Sequence, residues 1–170
     1  MIINACSYDS PCGTLLLGEY DGRLCLCDWT ESPHHCAIIA RVSRRLGTSV
    51  VIVNHASRTE CLVNAALQLD EYFSGHRHEF SIPLLPAGTE FQQRTWAEIQ
   101  CLPYGVTCSY RELAVKAGCK SAVRAVAGAT GANALSIFIP CHRVVGSNGS
   151  LTGYAGGIEA KRLLLKIEGL

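Results

Sequence analysis

The stretch SYRELAVKAGCKSAVRAVAGAT, residues 109–130, predicts two short helices joined by a glycine-containing turn. A capping box that begins at Ser109 starts the first helix, and Gly118 ends it. The second helix begins at Ser121, runs to about Thr130 and is rich in small residues. Two helices in this arrangement are typical of a helix-turn-helix, although many helical hairpins bind nothing.

The chain just before this motif predicts a further helix and a connector. A second capping box begins at Thr89, and the helix that it starts ends before Pro103. Residues 81–88, SIPLLPAG, contain two prolines and a glycine, which is typical of a connector between domains. We therefore expect one domain at residues 1–86 and a second at 87–170.

The first of these domains shows the pattern of a small sheet. Its β-prone runs are IINACSY (2–8), TLLLGEY (14–20), RLCLCDW (23–29) and SVVIV (49–53). Asp21-Gly22 separates the second run from the third and predicts a tight hairpin, because glycine tolerates a positive φ. The sheet is therefore expected to begin with adjacent antiparallel strands.

Two helices are expected to flank this sheet. Pro33 follows a serine and suits the first position of a helix, which Gly47 would end. Ser57 and Glu60 have the spacing of a capping box, and apolar residues at helical spacing follow as far as Phe73. Together with the helical second half, this pattern predicts an α/β protein of two domains.

Composition and charge exclude several classes of protein. Of the 170 residues 48% are hydrophobic and 17% charged, which excludes disorder, and no apolar run approaches the roughly 20 residues of a membrane span. Residues 1–86 carry 6 Lys+Arg and 9 Asp+Glu, a net −3, whereas residues 87–170 carry 9 and 5, a net +4. The overall +1 therefore conceals a mildly basic half that contains the helix-turn-helix.

The ten cysteines favour a reducing compartment over a disulfide scaffold. The first residues lack the basic start and long apolar stretch of a secretory signal, and disulfide scaffolds are usually shorter and poorer in core residues. Cys25 and Cys27 alternate with leucines, as small core residues do. We therefore expect free thiols and a cytoplasmic protein.

The segment IPCHRV, residues 139–144, is the strongest candidate for chemistry. Cys141 is flanked by a histidine and an arginine, a setting that favours the thiolate, and imidazole is the usual base for a thiol. Neighbouring side chains do not face each other on a regular helix or strand, so contact requires an irregular backbone or a bridging water. Glu168 is the acidic residue best placed to orient His142, although from spacing alone the Cys–His pair can equally be structural.

The second half of the chain resembles the O6-alkylguanine-DNA alkyltransferase family, the methylated-DNA–protein-cysteine methyltransferases. The first half agrees more weakly, mainly through DSPCG (9–13). The matching segments are GTEFQQRTW (88–96), YGVTCSYRELA (104–114), AVRAVAGATGAN (122–133), IPCHRVVGSNG (139–149), TGYAGG (152–157) and KRLLLKIEG (161–169). The resemblance implies an RNase H-like scaffold at 1–86 and a mostly helical, winged-helix-like DNA-binding domain at 87–170.

The resemblance also implies a direct-reversal repair reaction and a role for each catalytic residue. Cys141 matches the acceptor that takes an alkyl group from O6 of guanine in double-stranded DNA, once per molecule, with O4-alkylthymine as a lesser substrate. His142 matches the residue that deprotonates the thiol through a water, and Glu168 matches the carboxylate that orients this histidine. Tyr110 matches a tyrosine that protonates the departing guanine, and Asn133 matches an asparagine that ties together the turn before the reactive cysteine.

Further residues match the DNA contacts and the base pocket of the family. Arg124 matches the arginine that enters the base stack when the damaged nucleotide is flipped outward, which a buried thiol requires. The other implied DNA contacts are Ser121, Tyr110, Ala125, Ala129 and Thr130, and the implied pocket residues are Tyr154, Ala155, Gly156 and Val144. Some relatives carry a serine at the position of Ala155, so we expect altered tuning of the pocket, since loop N–H groups can still bind the substrate oxygen.

Two other classes of function remain open, namely a Cys-His-Glu hydrolase and a protein that binds alkylated DNA without reacting. No cofactor, metal or membrane is expected, and the protein is expected to act as a monomer. The residues that come closest to a zinc site are Cys25, Cys27, His34, His35 and Cys36. They lack the ligand spacing that lets two side chains reach one ion, and they do not match the zinc positions of the family.

Overall fold

The computed structural model describes all 170 residues. The first half of the chain forms a four-stranded sheet. The strands are β1 (Ile3–Ser10), β2 (Gly13–Tyr20), β3 (Arg23–Trp29) and β4 (Val50–Ile52), in the spatial order β3-β2-β1-β4. β1, β2 and β3 pair antiparallel, and β4 adds to β1 in the parallel direction. The predicted hairpin is confirmed, because Asp21 and Gly22 have φ of 53° and 73°, as a two-residue type I′ turn requires.

Two helices flank the sheet, and both begin later than the sequence predicts. Helix α1 (His35–Leu46) starts after a turn in which Ser32 accepts hydrogen bonds from the backbone N–H groups of the next residues, so the Ser32-Pro33 start is wrong. Helix α2 (Glu60–Phe73) is capped by the Thr59 hydroxyl, which accepts from Leu62 N, whereas Ser57 ends a short 3₁₀ turn. The capping box at Ser57 is therefore wrong by two residues.

The second half of the chain is mostly helical. Its elements are α3 (Glu90–Gln100), β5 (Cys108–Ser109), α4 (Tyr110–Lys116), α5 (Val123–Gly131), β6 (Val144–Val145) and α6 (Gly157–Ile167), with β5 and β6 paired in parallel. The capping boxes at Thr89 and Ser109 are confirmed, with hydrogen bonds in both directions. Gly118, at φ 71°, ends α4 as predicted, but α5 starts after Ala122 with no side-chain cap, so Ser121 does not begin it.

The hydrophobic core continues through both halves of the chain. A cluster of 25 buried residues lies on one face of the sheet, and nine others lie on the opposite face under α1. The larger cluster joins Leu17 of β2, Leu69 of α2, Ile99 of α3 and Leu113 of α4. The helices of residues 87–170 are therefore packed directly on the sheet.

The free edge of β3 is covered by two segments from later in the chain. Leu24 N donates to Pro83 O at 2.9 Å and Leu24 O accepts from Leu85 N at 2.8 Å. Cys27 N donates to Ala134 O at 2.7 Å, and Ser136 N donates to Cys27 O at 2.8 Å. The sheet thereby fixes the turn that leads to Cys141. No helix of the protein is both long and apolar enough to cross a bilayer.

Candidate active site

Cys141 begins a short 3₁₀ turn, Cys141–Arg143, that leads directly into β6. This irregular backbone meets the requirement for adjacent cysteine and histidine side chains to take part in one site. Only 6% of Cys141 is exposed, and His142 is fully buried. The thiol is thus held in the interior, just after the segment whose backbone is hydrogen-bonded to β3.

The bend before Cys141 contains a strained residue. Ile137 has φ 72°, and a β-branched residue in the left-handed region is rare and costs on the order of 1–3 kcal/mol. Two hydrogen bonds close the bend, from Phe138 N to Ser136 O at 2.9 Å and from Ile139 N to Leu135 O at 2.8 Å. The surrounding structure therefore holds this backbone in a shape that it would not adopt alone.

Asn133 connects this bend to the thiol. Its amide nitrogen donates to Ile139 O at 2.9 Å and to Cys141 Sγ at 3.2 Å, and its amide oxygen accepts from Leu135 N at 2.9 Å. Helix α5 ends at its C-cap residue Ala132, so Asn133 belongs to the bend that follows the helix. One buried side chain thus positions both the turn and the sulfur.

The electrostatic setting of the thiol differs from the sequence expectation. Burial raises the pKa of Cys141, while the Asn133 amide and the Lys161 ammonium act in the opposite direction. Arg143 does not favour the thiolate, because its guanidinium binds Glu168 and donates to Leu102 O at 2.6 Å. The resting thiol is therefore protonated at neutral pH and needs a base.

His142 is oriented to be that base. Its Nε2 lies 2.7 Å from Glu168 Oε1 and donates to the carboxylate, so in the neutral ring Nδ1 carries the free lone pair. His142 Nδ1 is buried and has no hydrogen-bond partner in the protein. Burial lowers the pKa of His142 and Glu168 opposes that effect, so the ring is neutral at pH 7 and can accept a proton.

Glu168 is the centre of a buried network that sequence reasoning detected only in part. Besides His142, it accepts from Tyr72 Oη at 2.8 Å, Gly105 N at 3.1 Å and the Arg143 guanidinium at 2.8 and 3.0 Å. Burial raises its pKa, but the hydrogen bonds from His142 and Arg143 outweigh it and bring the pKa to about 2. Glu168 is therefore ionised throughout the physiological range.

Lys161 is a further buried charge that the sequence did not mark as part of the site. It is fully buried in α6, and its ammonium donates to Val144 O at 2.6 Å and to Thr152 O at 2.9 Å. Burial lowers its pKa, and the nearby Cys141 thiol acts in the opposite direction. A lysine in an amphipathic helix usually lies on the surface, so no local pattern reveals this position.

The predicted pocket residues divide into two groups. Tyr154, Ala155 and Gly156 form a half-buried loop before α6, with the Tyr154 ring edge-on to His142 at a centroid distance of 6.4 Å. Val144, in contrast, is fully buried in the hydrophobic core and is not part of this loop. Burial raises the pKa of Tyr154, and the nearby Cys141 thiol adds to that effect.

The predicted DNA-contact residues also divide by exposure. Ser121, Arg124 and Ala125 are exposed around the start of α5. Ala129 and Thr130 are buried near the end of this helix, where Ala129 O accepts from Trp96 Nε1 and the Thr130 hydroxyl donates to the previous turn. The structure therefore does not place these two side chains on the surface.

Tyr110 and the cysteine–histidine cluster of the first half occupy clearly different settings. Tyr110 is the first residue of α4 and is half-buried; burial raises its pKa, and the Cys141 thiol adds to that effect.

In the first half, Cys25 and Cys27 are buried in β3, and His35 Nδ1 lies 2.6 Å from Asp28 Oδ2. No three His, Cys, Asp or Glu side chains are arranged to hold a metal ion.

The fold and the site define a two-part protein in which a buried cysteine, backed by a histidine and a carboxylate, lies beside a helix-turn-helix. Residues 5–86 match the family model for the 6-O-methylguanine DNA methyltransferase ribonuclease-like domain, and residues 90–170 match the model for the DNA binding domain of the same proteins. The chain belongs to the 6-O-methylguanine DNA methyltransferase family. The predicted two-part α/β fold, with an RNase H-like first half and a helical DNA-binding second half, is confirmed.

Individual relatives agree with this assignment along almost the whole chain. The chain is 50% identical to the constitutive methylated-DNA–protein-cysteine methyltransferase of Bacillus subtilis, covering 94% of this chain and 92% of that protein. It is 38% identical to the methylated-DNA–protein-cysteine methyltransferase of Mycobacterium leprae, covering 98% and 93%. Among solved structures, Mycobacterium tuberculosis OGT in complex with DNA superposes with a TM-score of 0.80 at 36% identity, covering 97% of this chain and 92% of that one.

Proposed function

We propose that this protein repairs DNA directly, by moving an alkyl group from O6 of guanine in a duplex to the sulfur of Cys141. The observation that carries the proposal is that His142, the buried neighbour of Cys141 in the chain, has an unpartnered Nδ1 while its other nitrogen donates to the Glu168 carboxylate. Family membership supports O6-alkylguanine in DNA as the substrate class. O4-alkylthymine is proposed as a lesser substrate. The reaction consumes the acceptor, so each molecule acts once.

The transfer is a single displacement whose protons balance. His142 Nδ1 takes the thiol proton through a water, and the thiolate attacks the alkyl carbon. The sulfur–carbon bond forms as the carbon–O6 bond breaks, and the electron pair leaves on guanine. Tyr110, which stays protonated because burial raises its pKa, supplies a proton to the departing base, and the proton held by His142 then returns to the Tyr110 oxygen through water. The thiol loses one proton and guanine gains one.

The exposed start of α5 supplies the contact with DNA. The target atom lies inside the base stack and the thiol lies inside the protein, so the nucleotide must be turned out of the duplex. Arg124 is exposed on α5 and its planar guanidinium can stack in the vacated space. Ser121 and Ala125 flank it, and their small side chains permit close approach to the minor groove.

The remaining assignments follow from the same reaction. Residues 87–170 carry the DNA contacts and the reactive cysteine, whereas residues 1–86 act as the scaffold that fixes the turn before Cys141. The loop of Tyr154, Ala155 and Gly156 forms the wall of the base pocket. All ten cysteines are unpaired, in keeping with a monomer that works in the reducing cytoplasm.

Single-turnover stoichiometry tests this function. With excess duplex containing O6-methylguanine, the protein is expected to restore one guanine per molecule and then stop, and Cys141→Ala is expected to bind the duplex and restore none. Repeated turnover would favour a hydrolase. Equal behaviour of the wild type and Cys141→Ala, with binding but no transfer in both, would favour a binding protein.

A further inference from the structure

Trp29, at the end of β3, is a residue of the first half that reaches the loop beside the reactive cysteine. Only 2% of it is exposed. Its ring lies edge-on to Tyr154, with the centroids 6.0 Å apart at 67°. Trp29 Nε1 and the Tyr154 hydroxyl are both buried and lack a hydrogen-bond partner in the protein. The first half of the chain therefore contacts the proposed pocket wall through Trp29.

Gly156 lies directly against the Trp29 indole. A Cβ at position 156 would lie 2.6 Å from Cε2 and 2.8 Å from Cδ2 of Trp29, far inside van der Waals contact. The backbone does not demand glycine here, because φ is −80° and any residue adopts that value. Gly157 is the opposite case, with φ 85° and open space around it. Position 156 thus requires glycine because Trp29 occupies the space.

A tight turn packs beside the six-membered ring of the indole. The Cε3 and Cζ3 atoms of Trp29 lie 3.6 Å from where a Cβ on Gly13 would be. That turn is closed by hydrogen bonds from the Ser10 hydroxyl to Gly13 O at 2.6 Å and from the Thr14 hydroxyl to Asp9 Oδ1 at 2.8 Å. The DSPCG segment (9–13) is therefore the support on which Trp29 rests.

We propose that Trp29, supported by the DSPCG turn, determines which alkyl groups the Cys141 site accepts, an inference that rests on the transfer function proposed above. The wall Tyr154–Gly156 already touches the indole, so it cannot move outward to admit a larger group. We expect a methyl group to enter without such movement and the larger benzyl group to require it. Trp29 acts through the loop and is a specificity-determining residue of the first half.

Rates with two alkyl groups test the inference. Single-turnover rate constants are measured with O6-methylguanine and O6-benzylguanine duplexes for the wild type and Trp29→Leu. Removing the indole lets the loop retreat, so the benzyl-to-methyl ratio is expected to rise about tenfold, the scale on which apolar pockets discriminate by size. A smaller rise is expected for Trp29→Phe, which keeps a ring against the loop.

Two further variants separate specificity from general loosening of the fold. Val42→Ala removes volume from the other core cluster, away from the loop, and is expected to leave the ratio within about twofold of wild type. Gly156→Ala is expected to lower the ratio, and Trp29→Leu added to Gly156→Ala is expected to restore it. Thermal unfolding of each variant checks that it is folded.

Each outcome decides the proposal. An unchanged ratio in folded Trp29→Leu, or an unchanged ratio in Gly156→Ala, overturns it even if the wild type transfers both groups. If Trp29→Leu does not fold, the ratio measured with folded Trp29→Phe decides, because that change keeps an aromatic ring in the core, and an unchanged ratio there overturns the proposal. A wild type that transfers neither group overturns the proposed function itself, which is a distinguishable result.

Discussion

At the scale of single residues, Glu168 determines how the site can handle a proton. It stays ionised because Tyr72, Gly105, His142 and Arg143 all donate to it inside the protein. Its charge fixes the His142 tautomer and keeps the pKa of that ring from falling further under burial. The fall in transfer rate at low pH is therefore expected to follow the pKa of His142, which Glu168 raises.

The pH dependence of transfer tests this role. Burial places the pKa of His142 below its usual 6.5, so the wild-type rate is expected to be flat near pH 7 and to fall with a midpoint below 6.5. Glu168→Gln removes the group that raises this pKa. The midpoint is therefore expected to move to still lower pH, with a plateau at least about tenfold lower. Single-turnover rates across pH give both values, and an unmoved midpoint in a folded variant contradicts the role.

The residues missed by sequence reasoning share a physical cause. Cys141, His142 and Glu168 belong to recognisable motifs, so they were predicted. Tyr72 binds Glu168 across 96 positions and has no local signal for that contact. Arg143 was expected to favour the thiolate from its position beside Cys141, but the direction of its side chain is set by Glu168 and Leu102.

At the scale of elements, the helix-turn-helix is the part of the fold with the most local definition. Its first helix carries a capping box at Ser109 that satisfies two terminal N–H groups, and Gly118 adopts the left-handed conformation that a glycine allows at little cost. The second helix places Arg124 on the exposed face and Val126 in the core. The motif thus presents Arg124 on a rigid support.

Replacement of Arg124 tests the role of this element. Arg124→Ala is expected to change the free energy of unfolding by less than about 0.5 kcal/mol, because the side chain is exposed. The transfer rate from duplex DNA is expected to fall at least about tenfold, while the rate with free O6-methylguanine base stays unchanged. Arg162→Ala, an exposed arginine on α6, is the matched control and is expected to alter neither rate. An equal loss on both substrates contradicts a role in DNA.

Element boundaries show where local patterns are sufficient and where they are not. The predicted N-caps at Thr89 and Ser109 are confirmed. Each hydroxyl residue is followed three positions later by a glutamine or glutamate whose side chain bonds back to it. Near Ser57 a second hydroxyl, that of Thr59, competes and caps the helix instead. The parallel pairing of β4 with β1 is a contact between distant segments, which strand propensity does not specify.

At the scale of the whole molecule, the two halves share one core and one active site. The core cluster joins residues of the sheet to residues of α3, α4 and α6, and β3 holds the turn before Cys141 through Cys27. The charge split of −3 and +4 between the halves distinguishes the scaffold from the half proposed to face DNA. The first half therefore shares the core of the second half and is hydrogen-bonded to the turn before Cys141.

The most direct test of the central claim is the mass of the protein after reaction with a duplex containing O6-methylguanine. Intact-mass measurement followed by peptide mapping is expected to find one added methyl group, located on Cys141, with the other nine cysteines unmodified. An unmodified protein, or a methyl group on a cysteine other than Cys141, would contradict the account.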